Sequence, residues 1–261
     1  MANNLTLGRG ELWFDRFKEG TKTRTGERYI GNSPEFNATI ESETLDHYDS
    51  DHGINEKDES VTTQTNRSGS MITDNISPEN QALFFFGSSS ALTIAAATVS
   101  GEVVGPVIAG LTYQLGMTDA NPSGARNIDE STPIVVTDAG SAGTTYDEGD
   151  DYTFNYALGR LTIVAGGAIP AGATIEVDYA TLEHKRDRVV SGSESVSGAL
   201  RYIAFNPVGK NYDWYMPYVK ISPNGDFSVK GDEWQQIPLS IEILKLSPKE
   251  AIYIDGRPYV A

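Results

Sequence analysis

Phe36-Asn-Ala-Thr-Ile-Glu-Ser-Glu-Thr-Leu45 and Glu59-Ser-Val-Thr-Thr-Gln-Thr-Asn-Arg67 flank the acidic run Asp46-His-Tyr-Asp-Ser-Asp-His-Gly53. In the first segment Phe36, Ala38 and Ile40 alternate with Asn37, Thr39 and Glu41, and Glu43 continues the polar row. A period of two puts the apolar set on one face of a strand and the polar set on the other. The polar face needs water, while the apolar face is expected to pack on a core. The second segment reads as a long polar strand, and the acidic run between the two reads as a loop.

The pattern extends in both directions. Gly10-Glu-Leu-Trp-Phe14 and Glu27-Arg-Tyr-Ile30 are short strands, separated by the turn-forming stretch Thr21-Lys-Thr-Arg-Thr-Gly26. Asn32-Ser-Pro34 makes another turn, because Pro34 cannot donate to a central ladder. Ser77-Pro78-Glu79 is a helix start, with Ser as N-cap, Pro at the first helical position and Glu beside the positive end of the dipole. Gly87 is expected to end that helix. Leu83, Phe84, Phe85 and Phe86 are too apolar to leave in water, so the helix must cover a sheet face or a partner. Two more strands are expected between Leu92 and Leu115.

Residues 118–189 read as an inserted module. Pro133–Thr137, Tyr152–Tyr156, Arg160–Val164 and Thr174–Tyr179 alternate almost strictly and are separated by Gly, Asp and Pro turns. That spacing predicts a small immunoglobulin-like sandwich. Charge changes there too: Thr118 to His184 holds 11 acidic and 2 basic residues, leaving 25 and 18 for the rest of the chain. The main block resumes through Ser195–Phe205, Trp214–Ile221, Gln236–Lys245 and Ala251–Ile254. The expected fold is therefore mainly β, with a discontinuous core of residues 1–117 and 190–261, one short α-helix and the insert.

Composition narrows the chemistry. A net charge of −16 over 261 residues repels nucleic acid, because phosphate affinity comes from Lys and Arg. There is no cysteine, which removes disulfides, thiolate catalysis and Cys-ligated zinc. The first residues, Met-Ala-Asn-Asn-Leu-Thr-Leu, lack the basic patch and apolar run of a signal peptide, so folding in a cytoplasm is expected, without membrane insertion.

The acidic run fails as a calcium loop. Counted from Asp49, the position that needs Gly holds Ile54, and the position that needs Glu holds Ser60. Asp147-Glu-Gly-Asp-Asp151 is likewise read as a turn. No nucleophile elbow, phosphate-cradling loop or His-Glu-x-x-His motif occurs, so no catalytic residue, cofactor or metal site is expected. Lys185–Arg188 reads as a hydrophilic linker out of the insert.

Gly8-Arg-Gly-Glu-Leu-Trp-Phe14, the run from Glu27 to Asn37 and the acidic loop together resemble the tail tube (major tail) proteins of long-tailed bacteriophages. So do Tyr215-Met-Pro-Tyr-Val-Lys-Ile-Ser-Pro-Asn-Gly225 and Lys230-Gly-Asp-Glu-Trp-Gln-Gln-Ile-Pro238. The resemblance covers residues 1–117 and 190–261. It implies a tail-tube-type β-sandwich that joins copies of itself into stacked, hexameric rings around a DNA-conducting lumen. It further implies a virion location, assembly in the host cytoplasm, and contacts with tape-measure, tail-terminator and distal-tail proteins. On that reading Glu41 and Glu43 line the lumen, which DNA crosses without specific binding. The loop carrying Asp46, Asp49, Asp51, His52, Glu56, Asp58 and Glu59 would order between rings. The alternatives are a carbohydrate- or surface-binding module using Trp214, Tyr215 and Tyr218, or a tail-terminator or head-decoration protein.

Overall fold

The computed structural model describes residues 4–51, 53–141 and 143–258. In chain order the first elements are β1 (Gly10–Arg16), β2 (Arg28–Tyr29), β3 (Glu35–Asp49), β4 (Glu56–Thr73), α1 (Pro78–Phe84) and β5 (Ser88–Ile94). Then come β6 (Ala97–Val104), β7 (Thr112–Gln114), β8 (Val135–Asp138), β9 (Thr145–Tyr146), β10 (Tyr152–Asn155), β11 (Arg160–Ile163) and β12 (Ile175–Thr181). The last are β13 (His184–Val190), β14 (Val196–Ala204), β15 (Tyr212–Pro223), β16 (Ile237–Ile243) and β17 (Tyr253–Gly256). The protein is mainly β, with one short helix.

The chain divides into two compact units, Met1–Ser90 with Asp187–Ala261, and Ala91–Arg186. Residues 91–117, which the sequence reading grouped with the first block, belong to the second unit. The reason is pairing: β6 joins β12 and β7 joins β11, so these strands complete the sheets of the insert. The supposed linker Lys185–Arg188 lies in β13, which forms a two-stranded sheet with β5.

In the first unit an eight-stranded sheet runs β2-β1-β14-β15-β16-β4-β3, with β17 also paired to β15. Alternation decides its inner face. Ile237, Leu239, Ile241 and Ile243 of β16 are buried, while Pro238, Ser240 and Glu242 between them are not. Leu12, Phe14, Met71, Leu200, Met216, Val219 and Ile221 join them in one core cluster. Pro217 falls where the β14–β15 register slips, the position at which a missing N–H costs least.

Helix α1 brings Leu83 into this cluster. Ser77 caps it, its hydroxyl accepting from the Asn80 N–H, with Pro78 at the start and Glu79 in the first turn. The C-terminus differs from expectation. Phe86, not Gly87, takes the left-handed conformation (φ 54°), and the Gly87 N–H returns to the Ala82 carbonyl at 2.8 Å in a Schellman arrangement. Gly87 is glycine for space, since a Cβ there would collide with the Val190 carbonyl. Buried Asn80 joins helix to sheet: its amide donates to the carbonyls of Ile30 and Asn75 and accepts from Arg28.

Asp15 closes the loop between β1 and β2. The buried carboxylate accepts from Arg24 and from the backbone N–H groups of Thr25 (2.8 Å) and Gly26 (2.9 Å). Burial alone raises its pKa, but the hydrogen bonds from Arg24, Gly26 and Thr25 outweigh it and hold the pKa below the ordinary value.

The second unit holds a four-stranded sheet, β6-β12-β8-β9, and a three-stranded sheet, β10-β11-β7. Leu161 and Ile163 of one and Val136, Ile175, Val177 and Tyr179 of the other meet in a second core cluster. Its strand order departs from the immunoglobulin constant type, in which the first strand neighbours the second. Here β6, the first of the seven, neighbours β12, the last.

Two measurements check these assignments. Gly87→Ala should lower stability by about 2–4 kcal/mol in chemical unfolding, because backbone rather than a flexible side chain must move. Asp15→Asn should destabilise the protein at neutral pH. It should also remove part of the acid-induced loss of stability expected of the parent: a depressed carboxylate pKa contributes stability above the unfolded value, near 3.9, and loses it as pH falls through the folded one. Unchanged thermal melting across that range would contradict the role given to Asp15.

Candidate functional site

The site lies where two strands outrun their sheet. β4 pairs with β16 only from Ser68 to Thr73, whereas its ladder with β3 continues to Asp49↔Glu56. From Glu41↔Asn66 outward, β3 and β4 have only each other, over about 30 Å at 3.3 Å per residue. β3 is also the edge strand, so its whole outer side is open, as is the outer side of β4 from Glu56 to Arg67. Among the described residues from 37 to 66, only Asp46 is even half-buried.

This corrects two expectations. The acidic loop is mostly strand: Asp46 and Asp49 lie in β3, and Glu56, Asp58 and Glu59 lie in β4. Asp51 is in the connecting turn, and His52 lies outside the described residues. Cross-strand partners explain why such polar residues stay extended. Asp46 meets Lys57 (2.7 Å) and Ser60 (2.7 Å), and His47 meets Asp58 (2.6 Å). The Lys57 and Ser60 hydrogen bonds hold the Asp46 carboxyl below its ordinary pKa, and the His47 bond does the same for Asp58. Second, the apolar side of β3 packs on the core only at Phe36, whose ring stacks on Tyr202 with centroids 5.9 Å apart. Ala38 and Ile40 are exposed.

Register separates charge by face. Opposed residues share a face, and faces alternate along each strand. Glu35, Glu41, Glu43 and Asp49 of β3 therefore stand on one face, with Glu59 opposite His47 and Glu56 opposite Asp49. Both cations of the ribbon take the other face, Arg67 opposite Ile40 and Lys57 opposite Tyr48. The separation survives two register shifts, where Thr63 and Asp58 are skipped on β4. One side of the ribbon thus carries carboxylates and His47 but neither Lys nor Arg, and Glu41 and Glu43 belong to it. Leu45 and Val61 face each other on that side, both exposed. The mixed pattern of charge and lone apolar residues hid this surface in the sequence, where only the register shows which residues share a face.

Other candidates are engaged internally. Trp214 packs on the first core, Tyr218 stacks on Phe17 under Lys22, and Tyr215 lies beneath Arg201. Trp214 and Tyr215, adjacent on β15, point to opposite faces and cannot share one platform. Asp151 braces its turn by accepting from the N–H groups of Ala168 and Asp147, which lower its pKa. The second unit has a cavity of about 460 Å³ beside Glu102, Tyr179 and Met117. Both Glu102 oxygens are occupied there, by the Tyr179 hydroxyl (2.6 Å) and the Gly116 N–H (2.7 Å). Burial first, then the Glu102 bond, pushes the Tyr179 hydroxyl well above its ordinary pKa. Among the described residues no three His, Asp or Glu side chains gather closely enough to hold a metal ion. No helix among the described residues is long and apolar enough to cross a membrane.

The geometry makes the outer ribbon separable from the fold. Replacing residues 44–63 by Asn-Gly joins Glu43 to Gln64, a cross-strand pair, through a two-residue hairpin turn. Thermal unfolding should stay within a few degrees of the parent, since the removed residues bury almost nothing in this chain. Loss of the cooperative transition would show that the ribbon belongs to the core after all.

No curated protein matches the chain in sequence. A family model described as protein of unknown function UCP028589 matches residues 5–251, a span that takes in the ribbon and most of both units. The chain belongs to that family, protein of unknown function UCP028589.

Proposed function

We propose that this chain is a structural subunit that assembles with copies of itself into stacked hexameric rings, the tube of a bacteriophage tail. The observation that carries this reading is the β3–β4 ribbon, open on both faces and along both outer edges. An isolated two-stranded ribbon is marginal in water, and open edges of this length invite pairing with another chain. Neighbouring copies satisfy both at once. The outer edge of β3 pairs with the free stretch of β4 in the next copy, and around a ring that contact is heterologous and antiparallel. Closure into a barrel leaves no edge exposed.

The acidic face gives the barrel a direction. Turned inward, Glu41 and Glu43 repel phosphate and offer it no cation, so DNA passes without being held. Turned outward, Arg67 and Lys57 lie against the rest of the assembly. The second unit is read as a small β-sandwich that contributes no strand to the conducting wall. Tape-measure, terminator and distal-tail proteins are the partners such a tube requires at its lumen and ends, and the virion is its location.

Negative-stain imaging of the purified chain over a concentration series should show rings or tubes with a central channel. A monomer at every concentration and salt tested would overturn the reading. Changing Glu41 and Glu43 together to Lys should alter subunit stability by no more than about 0.5 kcal/mol each, as exposed substitutions do. Tubes should still form, but genome delivery by particles carrying them should slow, most at low salt where screening is weakest. Delivery at the parental rate at every salt concentration would remove these residues from the lumen.

A further inference from the structure

The first unit carries two groups of exposed apolar side chains outside the ribbon. One is the loop between β15 and β16. Trp234 is 94% exposed there, and Val229 is 77% exposed. The loop is nevertheless held at its base: Phe227 packs on Phe84 and Phe85 with ring centroids 5.7 and 6.4 Å away, and the Asn224 N–H donates to the Pro238 carbonyl. A tryptophan offers about 150–250 Å² of contact surface, and such side chains commonly anchor interfaces. Its flanks are acidic, with Asp226, Asp232 and Glu233 against Lys230.

The other surface is formed by the N-terminal segment lying along the end of β14. Leu5, Leu7, Phe205 and Val208 are all at least half exposed. They adjoin one another, since the Leu7 N–H donates to the Val208 carbonyl and the Phe205 N–H to that of Arg9. The flanks here are basic. Arg9 adjoins Phe205, and Arg257, paired with Asp213 at 3.1 Å, holds its guanidinium 5.2 Å from the Phe205 ring centroid.

We infer that these surfaces dock on each other between copies, with Trp234 of one chain seated on the Leu5–Leu7–Phe205–Val208 patch of the next. The argument is complementarity within a single sequence: an apolar anchor flanked by Asp226, Asp232 and Glu233, and an apolar seat flanked by Arg9 and Arg257. Two unlike patches on one chain make a heterologous contact, which repeats from copy to copy into a ring or a stack. The inference rests on the self-assembly reading above and adds a contact independent of the β3 and β4 edges.

The absence of cysteine from the chain makes the test specific. Gly8→Cys places a thiol beside the patch, where open space surrounds the glycine, and Gln236→Cys places one near Trp234 at an exposed position. The two single-cysteine proteins are mixed, assembled and treated with a short bismaleimide. Mixed dimers should form in good yield in assembled material and vanish when the chains are kept monomeric by dilution. In parallel, Trp234→Ala should raise the concentration needed for assembly about 30-fold while leaving thermal unfolding unchanged, because the side chain is exposed in the single chain. Trp234→Phe should recover part of that loss. Rings or tubes that form without mixed dimers, or that ignore Trp234→Ala, would overturn this contact and leave the self-assembly reading standing. If the parent chain does not assemble at all, both fall together.

Discussion

Backbone hydrogen bonding is the constraint on which the rest of this structure depends. Every strand residue carries a donor and an acceptor that need partners, and β4 finds β16 for only its last six positions, Ser68 to Thr73. Up to that point the sheet is an ordinary core element, with Met71 buried against Leu239 and Phe36 closing one side. Beyond it the same two strands continue with nothing on either flank. β3 and β4 run close together at Gly69, where a Cβ would press on the Asn37 carbonyl. A long stretch of both strands thus lies beyond the support that the rest of this chain supplies.

The polar interior shows the opposite economy of groups. Asp15, Asn80, Asp151 and Glu102 are each surrounded by donors or acceptors supplied from neighbouring turns or strands. These side chains fix loops to sheets, and their environments shift Asp15 and Asp151 towards the charged form. Buried carboxylates of this kind are braces. The exposed carboxylates of the ribbon have few such partners, and their effect is a field rather than a bond, in keeping with a surface that repels. Segregating Lys57 and Arg67 onto the opposite face sharpens that field.

Much of the fold was legible in the sequence because local signals agreed with one another. The period-two alternation of Ile237, Leu239, Ile241 and Ile243 announces a half-buried strand, and Ser77-Pro78-Glu79 announces a helix start. Other features were ambiguous for physical reasons. Lys185–Arg188 has the composition of a linker, yet pairing with β5 keeps it extended. Asp46 to Glu59 has the composition of a loop, yet Lys57, Ser60 and Asp58 provide cross-strand partners visible only once the register is known. The helix end was misread because glycine serves two purposes, conformational freedom and space; at Gly87 the second applies and Phe86 takes the unusual backbone.

The sequence by itself determined the mainly β character, the helix and its cap, the position of most strands, and the acidity of the whole chain. Those follow from periodicity, capping chemistry and counting, which act over a few residues. Only the tertiary structure decided that residues 91–117 join the second unit, that six carboxylates share one face of the ribbon, and that Trp234 stands in solvent. Each of these depends on which strand lies beside which, and in what register. That information is carried by contacts between residues far apart in the chain, where no local pattern records it.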